Sequence, residues 1–564
     1  MLSKFTKEMP KEATVAELHE IVRKWAQAAE RAKRAGFDTV EISASAGYLI
    51  CQFLSPKTNL RTDEYGGSWE NRTRFAREVV AALREAVGED YPICIRIAGN
   101  DFVPGSNTNE DAVAFAKMME QSGVDMINVT GGWHETLIPQ LTGDVPSGGF
   151  TYLAAAVKAA VSIPVAASNR INDPAFAEKT LALGEADLIS IGRPLIADPD
   201  WTKKALLGQA ETIRRCVACN QGCLAKTFFA MPVECLVNGN AGRESEIKCA
   251  KPVQEKNILV VGAGPAGCEL AICAAQKGHK VTVWEKDDRI GGQVHLAAAV
   301  PAKREFENLA DYHAVMLRKL GVQLVLNKPA IAGEIKAAGF DAVVVASGSN
   351  PKLIDLPECR GIRVCTAADI LSGKVIAGKN VLVIGGGAVG CECAQYMARE
   401  ASLTPEQLYF MLSQRSESLE TALSLLDKCE RSITVIDMQK IGSGFEQGTA
   451  WPLFKELDRF NVRRYPFAKL ISLDESGAAI EAIEQKTREQ KAKERETGTI
   501  LPEKQISLKL CCDTVVVAVG SAPNSGLYDE LLEMGVKAYN IGDSVQPGKI
   551  SDAIAQATQL AEEL

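Results

Sequence analysis

The stretch NILVVGAGPAGCELAICAAQKGHKVTVWEK, residues 257–286, decides the fold class. An apolar strand (ILVV) runs into the glycine turn Gly262-x-Gly264-x-x-Gly267, a helix opens, and a second strand closes on Glu285. Glycines at this spacing let the backbone approach a pyrophosphate at a helix N-terminus, and the strand-end acid accepts from a ribose 2′-hydroxyl. Such a unit belongs to a parallel α/β sheet. A second fingerprint, Gly385-x-Gly387-x-x-Gly390, follows VLVI, and its acid is Asp437 at the end of SITVID. A carboxylate there suits the free 2′-hydroxyl of NADH and repels the 2′-phosphate of NADPH; the plain alternative is a surface aspartate at a strand end. With the return to strand and turn at DTVVVAVGSAPN, the pattern predicts two Rossmann-like domains, one inserted in the other. Residues 400–431 read as a helical excursion within the second.

Working toward the N-terminus, the chain alternates amphipathic helices with the β-rich runs FDTVEIS, YPICIRI, DMINVT, IPVAAS and ADLISIG. These units carry no glycine fingerprint and look like part of a (β/α)8 barrel, which needs eight strands and roughly 250 residues. The expected fold class is therefore α/β: an incomplete TIM barrel, a cysteine-bearing segment, then two Rossmann-like FAD- and NAD(P)-binding domains. The expected boundaries are 1–208 for the barrel, 209–249 for the cysteine segment, 250–375 and 511–564 for the two parts of the first nucleotide domain, and 376–510 for the second. Barrel chemistry sits at the C-terminal strand ends, which here present Glu41, Tyr48, Arg96, His134, Asn169-Arg170 and Gly192-Arg193. Arg170 and Arg193 follow the last two strands, where a barrel holds phosphate. Arg96 could face an isoalloxazine N1/O2 edge, and Tyr48 with His134 could form an acid pair. The plain alternatives are a core aromatic for Tyr48 and a backbone-satisfied loop histidine for His134.

Between these regions stands C-x2-C-x3-C-x11-C, made by Cys216, Cys219, Cys223 and Cys235. The spacing matches an all-cysteine [4Fe–4S] ligand set. Zinc is the rival, although zinc sites usually pair two short knuckles and no histidine lies nearby. Most of the other cysteines, from a total of 16, sit singly in apolar runs. The net charge of −8 argues against a nucleic-acid or anionic-membrane partner. The N-terminus shows no apolar h-region and no long uncharged apolar run occurs, so the chain reads as cytoplasmic.

The segments GYLICQFLSPKTNLRTDEYGGSWENRTRF, TGGWHE, SNRINDP and IGRPLIADP resemble the old yellow enzyme barrel. With the cysteine set and both nucleotide folds, the whole chain resembles the 2,4-dienoyl-CoA reductase and enoate reductase branch of that family. Gly291-Gly292-Gln293 and Gly542-Asp543 look like the FAD-binding positions of flavoproteins with two dinucleotide domains. The resemblance implies electron flow from NAD(P)H to FAD, to [4Fe–4S], to FMN, to an activated C=C bond of a small unsaturated acyl compound. It also implies Tyr48 as proton donor assisted by His134, and FMN contacts from Arg96, Arg170, Gly192 and Arg193.

Three departures stand out. Where much of the family has a histidine pair, this chain has Glu41-Ile42-Ser43-Ala44-Ser45-Ala46, as the dienoyl-CoA branch does. Asp437 points to NADH over NADPH. The family's first three barrel strands find no counterpart, which points to a mis-called start, a gene fragment or strands supplied by a partner, and predicts an unstable or FMN-poor barrel. Competing readings are an amine dehydrogenase of the same architecture and an NADH diaphorase that passes electrons to a partner from behind an inactive barrel.

Overall fold

The computed structural model describes residues 8–227, 229–246, 254–446, 450–483 and 505–564. They fall into two compact units, one of Met1–Leu195 and Pro199–Ala210, the other of Ile196–Asp198 and Glu211–Leu564.

The first unit is built on a five-stranded, all-parallel sheet in sequential order: β1 (Val40–Ala44), β2 (Ile93–Ala98), β3 (Met126–Thr130), β4 (Val165–Ala167) and β5 (Leu188–Ile189). All five overlap the predicted runs, the first two ending one residue beyond them. Helices Val15–Arg34, Trp69–Val87, Asn109–Gln121, Thr151–Lys158 and Pro174–Ala182 alternate with them. The first starts at a capping box: Glu17 N–H donates to Thr14 Oγ1, and Thr14 N–H donates to the Glu17 carboxylate. Along the strands Ile42, Ala44, Ile95, Ile97, Ile127, Val129, Val165 and Ala167 are buried. The alternating residues align in register as Ser43, Arg96, Asn128, Ala166 and Leu188. A parallel sheet buried on both faces would read as near-continuous apolar runs, so this polar-bearing row marks the face kept for chemistry.

The second unit holds two parallel sheets. In the first, β6 (Asn257–Val261), β7 (Lys280–Trp284), β8 (Gln323–Val325) and β9 (Ala342–Val345) are joined by β20 (Ala538–Asn540) in the order β20-β9-β6-β7-β8. An antiparallel ribbon of β10 (Ser349–Pro351) and β19 (Ser521–Pro523) links it to the second. There β11 (Arg363–Thr366), β12 (Asn380–Ile384), β13 (Ser432–Asp437), β14 (Arg463–Pro466) and β18 (Thr514–Val517) run in the order β11-β18-β12-β13-β14. A meander of β15 (Lys469–Asp474), β16 (Gly477–Ile483) and β17 (Gln505–Leu510) completes the inserted module.

Strand pairing moves the module crossings to β10 and β19, away from the expected 375/376 and 510/511. β11 and β18 both belong to the inserted sheet, and a short apolar run carries no local mark of which sheet it will join. The expected boundary at 249/250 lies outside the described residues. The excursion at 400–431 forms helices Pro405–Gln414 and Leu419–Leu426. Among the described residues no helix is long and apolar enough to cross a membrane.

Ile95, fully buried in the second strand, anchors the packed face of the first sheet. Ile95→Ala should cost about 2–5 kcal/mol, measured by urea unfolding with a tryptophan signal; a loss below about 1 kcal/mol would show that this face is loosely packed.

Candidate functional site

In the first unit the loops leaving β1 and β3 meet. A parallel bridge joins Ala46 to Trp133, and His134 N–H donates to Ala46 O at 3.3 Å. Gly47 has φ +89°, and a Cβ there would overlap the Trp133 indole, 1.4 Å from its Nε1. Only glycine allows the two loops to come this close. The contact sets Tyr48 Oη 3.3 Å from His134 Nε2, with the rings edge-to-face and their centroids 5.4 Å apart. Tyr48 is 55% exposed, which removes the core-aromatic reading. His134 is also open to solvent at its edge, yet the protein packed around the ring pushes its pKa below 6.5, with the Glu135 charge opposing.

On the polar row, Asn128 donates through Nδ2 to Glu41 at 2.9 Å, while its buried Oδ1 has no partner. The Arg96 side chain, next to Asn128 in register, makes no hydrogen bond or ion pair among the described residues. An unpaired guanidinium beside an orphaned amide oxygen fits a ligand that offers both acceptor and donor edges. Arg170 and Arg193 are placed differently. Arg170 is 4% exposed and donates from Nε to Val145 O at 2.9 Å, and Arg193 donates from Nη1 to Leu141 O at 2.5 Å. Each therefore uses an N–H to hold the loop at 141–148. Asn169 Oδ1 accepts from Thr130 Oγ1 at 2.5 Å and from Ser168 Oγ at 3.0 Å. Gly192 has open space where a Cβ would project.

The two fingerprint turns are built alike. Glu285, 6% exposed, accepts from Ala263 N–H at 2.7 Å and from Asp287 N–H at 2.9 Å. Asp437 accepts from Gly386 N–H at 2.6 Å and from Gln439 N–H at 2.7 Å. Gly264 caps the helix Pro265–Lys277, and nothing lies within 4 Å of where its Cβ would be. That empty cradle at a helix N-terminus fits a pyrophosphate. The remaining residues expected at this site converge: Gln293 Nε2 donates to Ser349 Oγ at 3.1 Å, and Ser349 Oγ donates to Asp543 at 3.0 Å. Gly291 N–H donates to Ala263 O at 2.8 Å, and Gly542 packs against Ala266. Ser349, the joint of this chain, carries no sequence signal apart from its place after the strand at 342–345.

The four expected ligand cysteines also come together. Glu234 N–H donates to Gly222 O at 2.8 Å, and a Cβ on Gly222 would stand 2.4 Å from Glu234 O. This close pairing folds the long gap back, so Cys223 and Cys235 become neighbours. The Gln221 amide donates to Cys219, and the Val237 and Asn238 amides donate to Cys235. Burial first, and then charge on the other members of the set, pushes the Cys219 thiol well up and that of Cys235 to about 11, against the lowering effect of these N–H donors. Val217, Leu236, Val294, Phe306 and Leu309 form an apolar group against which Cys216, Cys219 and Cys235 pack. Among the described residues no three His, Cys, Asp or Glu side chains are gathered to hold a metal ion. The N–H···S bonds to Cys219 and Cys235 are of the kind that tune iron–sulfur centres.

Residues 2–211 match the NADH:flavin oxidoreductase / NADH oxidase family, and residues 256–544 match the pyridine nucleotide-disulphide oxidoreductases. A metal reductase of Desulforamulus reducens is 45% identical over 560 residues, covering 98% of this chain and 81% of that protein. A cinnamate reductase of Clostridium sporogenes is 34% identical over 409 residues, 69% of this chain and 61% of that protein. Among solved structures, a 2-naphthoyl-CoA reductase in complex with 2-naphthoyl-CoA aligns with a TM-score of 0.86 at 31% identity, over 100% of this chain and 79% of that one.

A histidine whose folded pKa lies below its unfolded value binds a proton more readily when unfolded, so acidification through about 6.5 costs stability. The His134 ring, assigned by its absence in His134→Asn, should titrate by NMR with a midpoint below 6.5. A midpoint at or above that value would contradict the crowding at this site.

Proposed function

Because the chain belongs to the NADH:flavin oxidoreductase / NADH oxidase family, in its 2,4-dienoyl-CoA reductase and enoate reductase branch, we propose that it reduces an activated C=C bond of a small unsaturated acyl compound at the expense of NADH. The enzyme is a flavin- and NAD-dependent oxidoreductase, and its cofactors are FMN, FAD, a [4Fe–4S] cluster and NADH. The single observation that carries the substrate reading is the solvent-facing Tyr48–His134 pair at 3.3 Å on the strand-end rim of the first unit.

Arg96 would hold FMN from the polar row, with Arg170, Gly192 and Arg193 at its phosphate end. Gly262, Gly264, Gly267, Glu285, Gly292, Gln293, Gly542 and Asp543 would hold FAD. Gly385, Gly387, Gly390 and Asp437 would hold NADH, and Cys216, Cys219, Cys223 and Cys235 the cluster. When bound, these groups supply hydride and single-electron chemistry. The chain's own residues do the rest. The Tyr48 phenol donates its proton to the substrate carbon next to the one that takes hydride. His134 has its pKa lowered by burial, which favours the neutral ring; in the tautomer with its proton on Nε2 it donates to Tyr48 Oη and stabilises the phenolate that remains. Arg96 would set its positive charge beside the flavin ring and so favour uptake of electrons there.

The metal reductase relative favours a second reading, in which electrons leave for an external acceptor and Tyr48 is idle. Anaerobic NADH should bleach the chromophores under either reading. Under the reductase reading, a dienoyl-CoA or enoate reoxidises them, and Tyr48→Phe lowers that step by about 10²–10⁴-fold with NADH bleaching intact. Reoxidation by dyes or metal ions alone, or FAD without an equal amount of FMN, would establish the electron-transfer reading instead.

Cluster assignment has its own check. Cys219→Ser should abolish the iron and acid-labile sulfide of the anaerobically purified protein and leave FAD in place; zinc in the wild-type protein would overturn the assignment.

A further inference from the structure

Two residues before Cys216, Arg214 enters the interior with a side chain 13% exposed. Its Nη2 donates to Glu269 Oε1 at 2.9 Å and to Tyr312 Oη at 3.0 Å, and the guanidinium lies 4.9 Å from the Tyr312 ring centroid. Nη1 reaches Asn238 Oδ1 at 3.4 Å, and the Arg214 backbone N–H donates to Asp198 at 2.8 Å. Glu269, 1% exposed, takes a second contact from His313 Nε2 at 3.3 Å.

These partners are not scattered. Glu269 stands in the helix Pro265–Lys277, two positions after Gly267 of the first fingerprint. Asn238 is the residue whose backbone N–H donates to Cys235. One guanidinium thus joins the start of the cysteine segment, its end and the nucleotide helix. A buried ion pair is weak evidence for stability, because an apolar replacement of equal volume often serves as well. Its better-attested use is to fix register, and the planar fork of arginine suits a junction of three elements.

We propose that Arg214, seated on Glu269, is a positioning residue that holds the four-cysteine segment at a fixed place on the FAD-binding helix and so sets the rate at which electrons cross from FAD to the cluster. This rests on the assignment of the four thiolates to the cluster. Lysine at this position keeps the charge but presents one point donor and cannot serve Glu269, Tyr312 and Asn238 together. A misplacement of order 1 Å in a supporting residue can cost up to about a hundredfold in rate.

The test uses the anaerobically purified holoenzyme, wild type and Arg214→Lys, mixed with NADH. FAD bleaching is followed by stopped flow, and cluster reduction by freeze-quench EPR per mole of bound iron. Arg214→Lys should leave FAD bleaching and the KM for NADH unchanged, slow cluster reduction at least about tenfold, and shift the reduced-cluster EPR spectrum. The paired Arg214→Met, Glu269→Leu variant, which leaves no lone buried charge, should fold and show the same defect. Iron-replete variants with wild-type cluster kinetics and EPR would overturn the proposal alone. A wild-type protein without iron and acid-labile sulfide would overturn the cluster assignment beneath it.

Discussion

The carboxylates of Glu285 and Asp437 each accept a hydrogen bond from an amide of the glycine turn they face, at 2.7 and 2.6 Å. A strand that hands over to a helix in so tight a turn leaves amides pointing inward, and a buried amide without an acceptor is costly. The acid at the end of the next strand settles that debt in both nucleotide modules. It also fixes the spacing between neighbouring strand ends, because the acid and the turn lie on adjacent, hydrogen-bonded strands. The open cradle at Gly264 follows from this arrangement. In the barrel-type unit the same task of binding loop to loop falls to the Ala46–Trp133 bridge and the missing Cβ of Gly47.

The cysteine segment obeys a different constraint. It has little regular structure, so its own backbone cannot fix its shape. Order comes from outside: the Gly222–Glu234 pairing folds it, an apolar shell grips it, and the Arg214 network fastens both ends to the nucleotide helix. Ala218 and Asn220, both with positive φ, turn the chain between the thiols. Backbone strain of this kind persists only where the surroundings over-determine it.

Much of this was legible in the sequence because it is local. Periodicity placed the five strands of the first sheet, the fingerprints and the helical excursion at 405–426. Cysteine spacing singled out four thiols that the fold makes neighbours. What stayed hidden depends on contacts between distant residues. β11 and β18 carry apolar runs that would suit either sheet, and only their pairing with each other assigns them. Ser349 joins Gln293 to Asp543 across gaps of 56 and 194 residues. Arg170 and Arg193 were legible as strand-end arginines, but their grip on the 141–148 loop was not. Glu269 looks like an ordinary helix glutamate until Arg214 and His313 are seen against it.

The strand-end clamp also bears on the choice of nicotinamide cofactor. A carboxylate that merely sat near the ribose could swing away from an added phosphate. Asp437 cannot do so cheaply, since both of its oxygens already hold backbone amides, and moving it would orphan Gly386 N–H and Gln439 N–H. A 2′-phosphate on the proposed NAD would therefore meet a charge fixed in place. Two like unit charges about 4 Å apart near a protein surface repel by about 4 kcal/mol, enough for a discrimination of several hundredfold. A free 2′-hydroxyl instead finds a carboxylate with unused lone pairs. The interaction that shapes the turn is thus the one that would exclude the phosphorylated cofactor, and the two properties cannot be separated by a change at Asp437 alone.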